Sequence, residues 1–87
     1  MNSEASVVAS KIEDFIRDRF VVEANDEFFN HEINLFEEGY VDSAGVIEVI
    51  AFLEETFALT LPEDVLFDTS FSSIDGMAVR VAGLLES

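Results

Sequence analysis

Residues 35–64 read LFEEGYVDSAGVIEVIAFLEETFALTLPED, from Leu35 to Asp64, and the periodicity inside this stretch decides the fold. Advancing about 100° per residue from Ser43 places Val46, Val49, Ile50, Leu53 and Phe57 in roughly a 100° sector. That is the stripe of a helix that buries one side, and it predicts a helix from Ser43 to about Phe57. A second sector, between roughly 20° and 140°, holds Ile47, Glu48, Ala51, Glu54 and Glu55. It is separate from the core stripe and mixes carboxylates with an aliphatic side chain, and Ser43 stands at its N-terminal edge. Asp42 and Ser43 are both good N-caps, so the pair taken alone says only that a helix starts here. Further on, Pro62 reads as the first position of a short helix, Pro62 to Phe67, with Glu63 and Asp64 at its positive end.

The reading extends outward in both directions. Val8, Ile12, Phe15, Ile16 and Phe20 recur at helical spacing and predict a first helix from about Glu4 to Phe20. Val21 to Asp42 has no clean period. It is a long connection, pegged to the core by Ile33, Leu35 and Phe36, with a turn at Gly39. Ser72 followed by Asp75 resembles a capping box and opens a last helix, whose stripe is Ile74, Met77, Ala78, Val81, Leu84 and Leu85. The segment Thr69 to Ile74 alone offers a competing β-alternation. The expected fold is all-α: a four-helix bundle with three main helices, a short third helix and a long first loop. Residues 1–87 suffice for a single domain and a small core, and a monomer is expected.

Composition narrows the function. Nineteen Asp and Glu against four Lys and Arg leave a formal net charge of -15. Such a surface repels nucleic acid and anionic lipid and attracts basic protein surfaces. With no cysteine, neither a disulfide nor thiolate catalysis is possible. No apolar run approaches a membrane span, and Met1 to Ser10 lacks the basic and apolar parts of a signal peptide, so the cytoplasm is the expected compartment.

Taken together and in order, these features resemble the acyl carrier protein family. In that family an Asp-Ser pair opens the second helix, a Glu lies five residues beyond the Ser, and further acids follow. An aromatic residue ends the helix, and an aliphatic-Pro pair starts the short third one. Asp42-Ser43, Glu48, Glu54 and Glu55, Phe57, and Leu61-Pro62 hold those places. The resemblance implies that Ser43, beside Asp42, accepts 4'-phosphopantetheine from coenzyme A through a phosphopantetheinyl transferase. The arm's thiol would then carry an acyl or aminoacyl group as a thioester, supplied by an acyl or aminoacyl ligase or transferase. Ile47, Glu48, Ala51, Glu54 and Glu55 would form the face that partner enzymes grip, and the carrier would itself be non-catalytic. Ala44 stands where the family usually has Leu or Met. The Gly39-to-Ser43 spacing, with Leu35-Phe36 before it and Gly45 after it, is closer to D-alanyl carriers and stand-alone carriers of specialised metabolism than to fatty-acid carriers.

The remaining candidates read more plainly. His31, the one histidine, is expected in a solvated or capping role, with nothing to bring it to Ser43 as a base. No D-x-[DN]-x-[DN]-G loop is present, so a dedicated calcium site is not expected, although crowded carboxylates should bind divalent cations weakly. Phe52 falls between the core and acidic sectors and could serve either. A different class of function keeps the fold without the arm: an unmodified acidic adaptor for basic partners.

Overall fold

The computed structural model describes residues 3–86. Its elements are α1 (Ser3–Arg19), α2 (Ser43–Phe57), α3 (Glu63–Leu66), a 3-10 helix (Thr69–Ser72) and α4 (Ile74–Glu86). Among the described residues there are four α-helices and no strand, as the hydrophobic periodicity requires. The Thr69–Ile74 alternation is a 3-10 turn and not a strand. Asp68 caps it by accepting from the Ser70 N–H, and local side chain–backbone bonds of this kind favour turns.

α1 packs principally on α4. Val8, Ala9, Ile12 and Ile16 join Ile74, Met77, Ala78 and Val81 in one core that also takes Leu35, Val49 and Leu53. Among the described residues no polar or charged one is buried, so their acids lie at the surface, where hydration lowers their cost. Phe15 and Phe20 are only half-buried. Phe15 stacks on Phe52 with centroids 4.2 Å apart, which places Phe52 on the packed side of α2, against α1.

The helix ends follow from local bonds. α1 stops at Arg19, one residue before the expected Phe20, because Val21 turns left-handed (φ 53°) while the Val22 N–H reaches the Arg17 carbonyl. α2 stops in the same way at Ala58 (φ 53°, ψ 51°). Pro62 sits just outside α3 rather than at its first position, with extended backbone (ψ 155°). The expected Ser72 capping box is displaced by one residue. Ser73 caps α4 by accepting from the Gly76 N–H, while the Ser72 hydroxyl donates to the Thr69 carbonyl inside the 3-10 turn.

The long loop is tied down as expected. Leu35 is fully buried, and its N–H donates to the Ser72 carbonyl. Tyr40 and Val41 donate to the Leu35 carbonyl, and Gly39 makes the turn between them with φ 82°. Asp26 accepts from the Tyr40 hydroxyl and from the Phe28 and Phe29 N–H groups. Those three donors hold its carboxyl below the usual range. This bonding carries the chain from α1 across the bundle and delivers Asp42 at a defined place.

Candidate functional site

The start of α2 is built by division of labour between two adjacent residues. Asp42 is the N-cap: its backbone is extended (φ -96°, ψ -178°) and its Oδ1 accepts from the Gly45 N–H at 2.7 Å. Ser43, the first helical residue, is thereby released from capping, and it is exposed. Its hydroxyl stands at the positive end of a 15-residue helix, where the peptide dipoles favour a negatively charged group. A phosphodiester on that hydroxyl therefore fits the residues present, in both access and electrostatics.

Gly45 fixes how this helix start meets α1. A β-carbon at residue 45 would stand 2.6 Å from Phe20 Cε1 and 3.1 Å from Val41 Cγ1. Only a glycine lets the Phe20 ring lie against the α2 backbone. The sequence shows Gly45 but not Phe20 beside it, so this contact is legible only in three dimensions.

The second face of α2 exists, but its members differ in circumstance. Ile47 is 70 % exposed, and Ala51 and Glu55 are also exposed. Glu48 and Glu54 are half-buried and already engaged. Glu48 pairs with Arg19 at the end of α1. Glu54 Oε2 accepts from the Leu61 N–H at 2.9 Å, so this acid also pins the connection to α3. Among the described residues no group of three or more His, Asp or Glu side chains is placed to hold a metal ion.

The core stripe of α2 is narrower than its periodicity indicates. Val49 and Leu53 are buried, but Val46, Ile50 and Phe57 are half-buried. All three pack against the core, and Val46 and Ile50 also line a cleft of about 270 Å³, together with Val49, Phe36, Leu66, Phe71 and Met77. Its lining comes from the loop, α2, α3, the 3-10 turn and α4, so no local pattern reveals it. Asp68 also lines it and pairs with Arg80 of α4. The Ser70 N–H and hydroxyl and the Arg80 guanidinium hold the Asp68 carboxyl below its usual range.

His31 is not a freely solvated side chain. Its Nε2 lies 2.6 Å from Glu13 Oε1 on α1, and its Nδ1 lies 3.5 Å from Asp75 Oδ1 on α4. Capping does occur, but through its backbone carbonyl, which accepts from the Asp75 N–H at the start of α4. Both ring nitrogens face carboxylates of other helices, which leaves neither for base chemistry at Ser43.

The all-α bundle presents an exposed serine at a helix start, beside an acidic face and a cleft. Comparison with protein families identifies it as a carrier-type domain: the phosphopantetheine attachment site model matches residues 18–81, well over half of the chain, and the chain belongs to that family. Its members hold 4'-phosphopantetheine covalently, work with phosphopantetheinyl transferases and other partner enzymes, and are generally non-catalytic. No curated protein and no solved structure matches the chain. No helix among the described residues is long and apolar enough to cross a membrane.

Proposed function

We propose that the protein is an acyl carrier whose Ser43 hydroxyl bears the 4'-phosphopantetheine arm. The observation that carries this reading is the capping by Asp42, which leaves an exposed serine hydroxyl at the positive end of α2. In the loading step the Ser43 oxygen forms a bond to the phosphorus of coenzyme A that bears the pantetheine. The bond from that phosphorus to the nucleotide-side bridging oxygen breaks, the nucleotide bisphosphate leaves, and the serine proton passes to a base on the transferase. The arm supplies a thiol that holds the cargo as a thioester. The chain's own residues place the attachment point, offer Ile47, Glu48, Ala51, Glu54 and Glu55 as the surface that partners grip, and supply the cleft.

The cleft suits an acyl cargo. Phe36, Val46, Ile50, Leu66, Phe71 and Met77 give it an apolar side that suits a hydrocarbon chain. Val46, on its wall, stands three residues beyond Ser43, about 4.5 Å of helical rise. An unmodified adaptor would need no such cleft.

Intact-mass analysis after co-production with a broad-specificity transferase tests the assignment. The parent chain should gain one phosphopantetheine and Ser43→Ala none. Modification that persists in Ser43→Ala, or that maps to Ser70, Ser72 or Ser73, refutes it. Absence of any modification in the parent chain favours the adaptor.

A further inference from the structure

Glu48 lies five residues beyond Ser43 on the proposed docking face, and in the free protein it is already occupied. The Arg19 Nε donates to Glu48 Oε1 at 2.9 Å, and Nη2 donates to the same oxygen. The Arg19 guanidinium lies 5.8 Å from the centroid of the Phe20 ring, which itself packs on Gly45. It is therefore held over the first turns of α2. Arg19 is 53 % and Glu48 39 % exposed along their side chains, and ion pairs this open contribute little to stability. The chain has only four basic residues against nineteen acidic ones. One of the four is spent on the very face that should attract basic partners.

We infer that Arg19 is an internal competitor for the partner's cation and so a specificity-determining residue of the docking face. An approaching basic surface meets a neutralised Glu48 and a like charge. Engagement requires a partner arginine or lysine to take the Glu48 carboxylate while Arg19 swings into solvent. A surface that offers only diffuse positive charge gains less, because it must still displace Arg19, and a penalty against such partners sharpens selection. This inference rests on the carrier reading and on Glu48 belonging to the docking face.

The test measures kcat/KM for arm transfer from coenzyme A by a purified broad-specificity phosphopantetheinyl transferase at low salt. Arg19→Gln removes the competitor. Lys11→Gln, exposed about two turns away on α1, changes the net charge equally. Arg19→Gln should exceed Lys11→Gln by about two- to five-fold, the scale of a half-exposed ion pair. Arg19→Lys should fall between Arg19→Gln and the parent. The gain should vanish in a Glu48→Gln background and shrink in 1 M salt, where the screening length is about 3 Å. Equal rates for Arg19→Gln and Lys11→Gln, or a gain retained without Glu48, overturn the competitor. Glu48→Gln alone separates the failures. If it slows loading while Arg19→Gln brings no gain, only the competitor falls. If it leaves loading unchanged, the docking face falls as well, and a parent chain that never loads removes the carrier reading itself.

Discussion

Phe20 and Gly45 are in such close contact that the aromatic ring occupies the space a β-carbon would need: the distance to Phe20 Cε1 would be 2.6 Å. This contact fastens the end of α1 to the start of α2, directly beside Ser43. Gly45→Ala should therefore cost about 1–3 kcal/mol, the range for overpacking a fitted contact. Urea unfolding checks the size. Phe20→Leu, added to Gly45→Ala, should recover part of the loss, whereas simple additivity of the two changes would show that the ring is not the obstacle.

Two glycines in α4 should respond oppositely to the same substitution. Gly83 has open space where a β-carbon would go, so Gly83→Ala should stabilise the domain by about 0.5–1 kcal/mol. At Gly76 the β-carbon would fall 1.5 Å from the Ser70 carbonyl oxygen, which is backbone and cannot rotate aside. Gly76→Ala should be destabilising by at least about 1 kcal/mol. Thermal midpoints of the two variants, moving in opposite directions, give the check.

Glu13 predicts an acid limb to the stability curve. Hydrogen bonds from His31 and then Arg17 hold its carboxyl below the usual carboxylate range. A depressed folded pKa contributes stability that is present above the unfolded value and lost as pH falls through the folded one. The parent should thus be more stable than Glu13→Gln at pH 6, and the difference should close as pH drops below the ordinary glutamate pKa and through the folded one. Denaturant unfolding of both proteins across this window measures it. A difference that widens on acidification contradicts the ion-pair account.

Cleft filling should affect cargo before it affects fold. Enclosing two methylenes of an acyl chain is worth about 1.6 kcal/mol, or about tenfold in the sheltered fraction. An octanoyl thioester on the loaded protein should therefore react with hydroxylamine more slowly than octanoyl-pantetheine in solution. Val46→Phe, which projects a larger side chain into the cleft that Val46 lines, should return much of that reactivity while circular dichroism stays helical. Equal reactivity of the free and carried thioesters would remove the cleft as a cargo site.

The net charge of -15 should make the domain firmer as sodium chloride rises, since screening weakens self-repulsion. Magnesium at matched ionic strength should add little, because no three acids converge among the described residues and Glu54 is bonded to the Leu61 N–H. Thermal midpoints in the two salts test both statements. A midpoint that falls with sodium chloride would sink the repulsion argument.

The sequence by itself determined the class of fold and the order of its helices, because helical periodicity is local: Val49 and Leu53, or Ile12 and Ile16, reach one face of one helix wherever the chain goes next. It also determined the start of α2 and the acidic composition of its second face, since capping by Asp42 and the spacing from Ile47 to Glu55 depend on neighbours within the same helix. Tertiary structure decided the rest, since side chains far apart in the chain carry no shared pattern. It brought Arg19 to Glu48 across 29 residues of sequence, and His31 to both Glu13 and Asp75. It left the outer sides of Val46 and Ile50, which pack against the core, as walls of a cleft, because five segments meet beside them without closing the space. It moved the α4 cap from Ser72 to Ser73, where the 3-10 turn uses the Ser72 hydroxyl for itself. Local sequence sets which residues can form and cap a helix, and packing between distant segments sets which of their groups remain available to a partner.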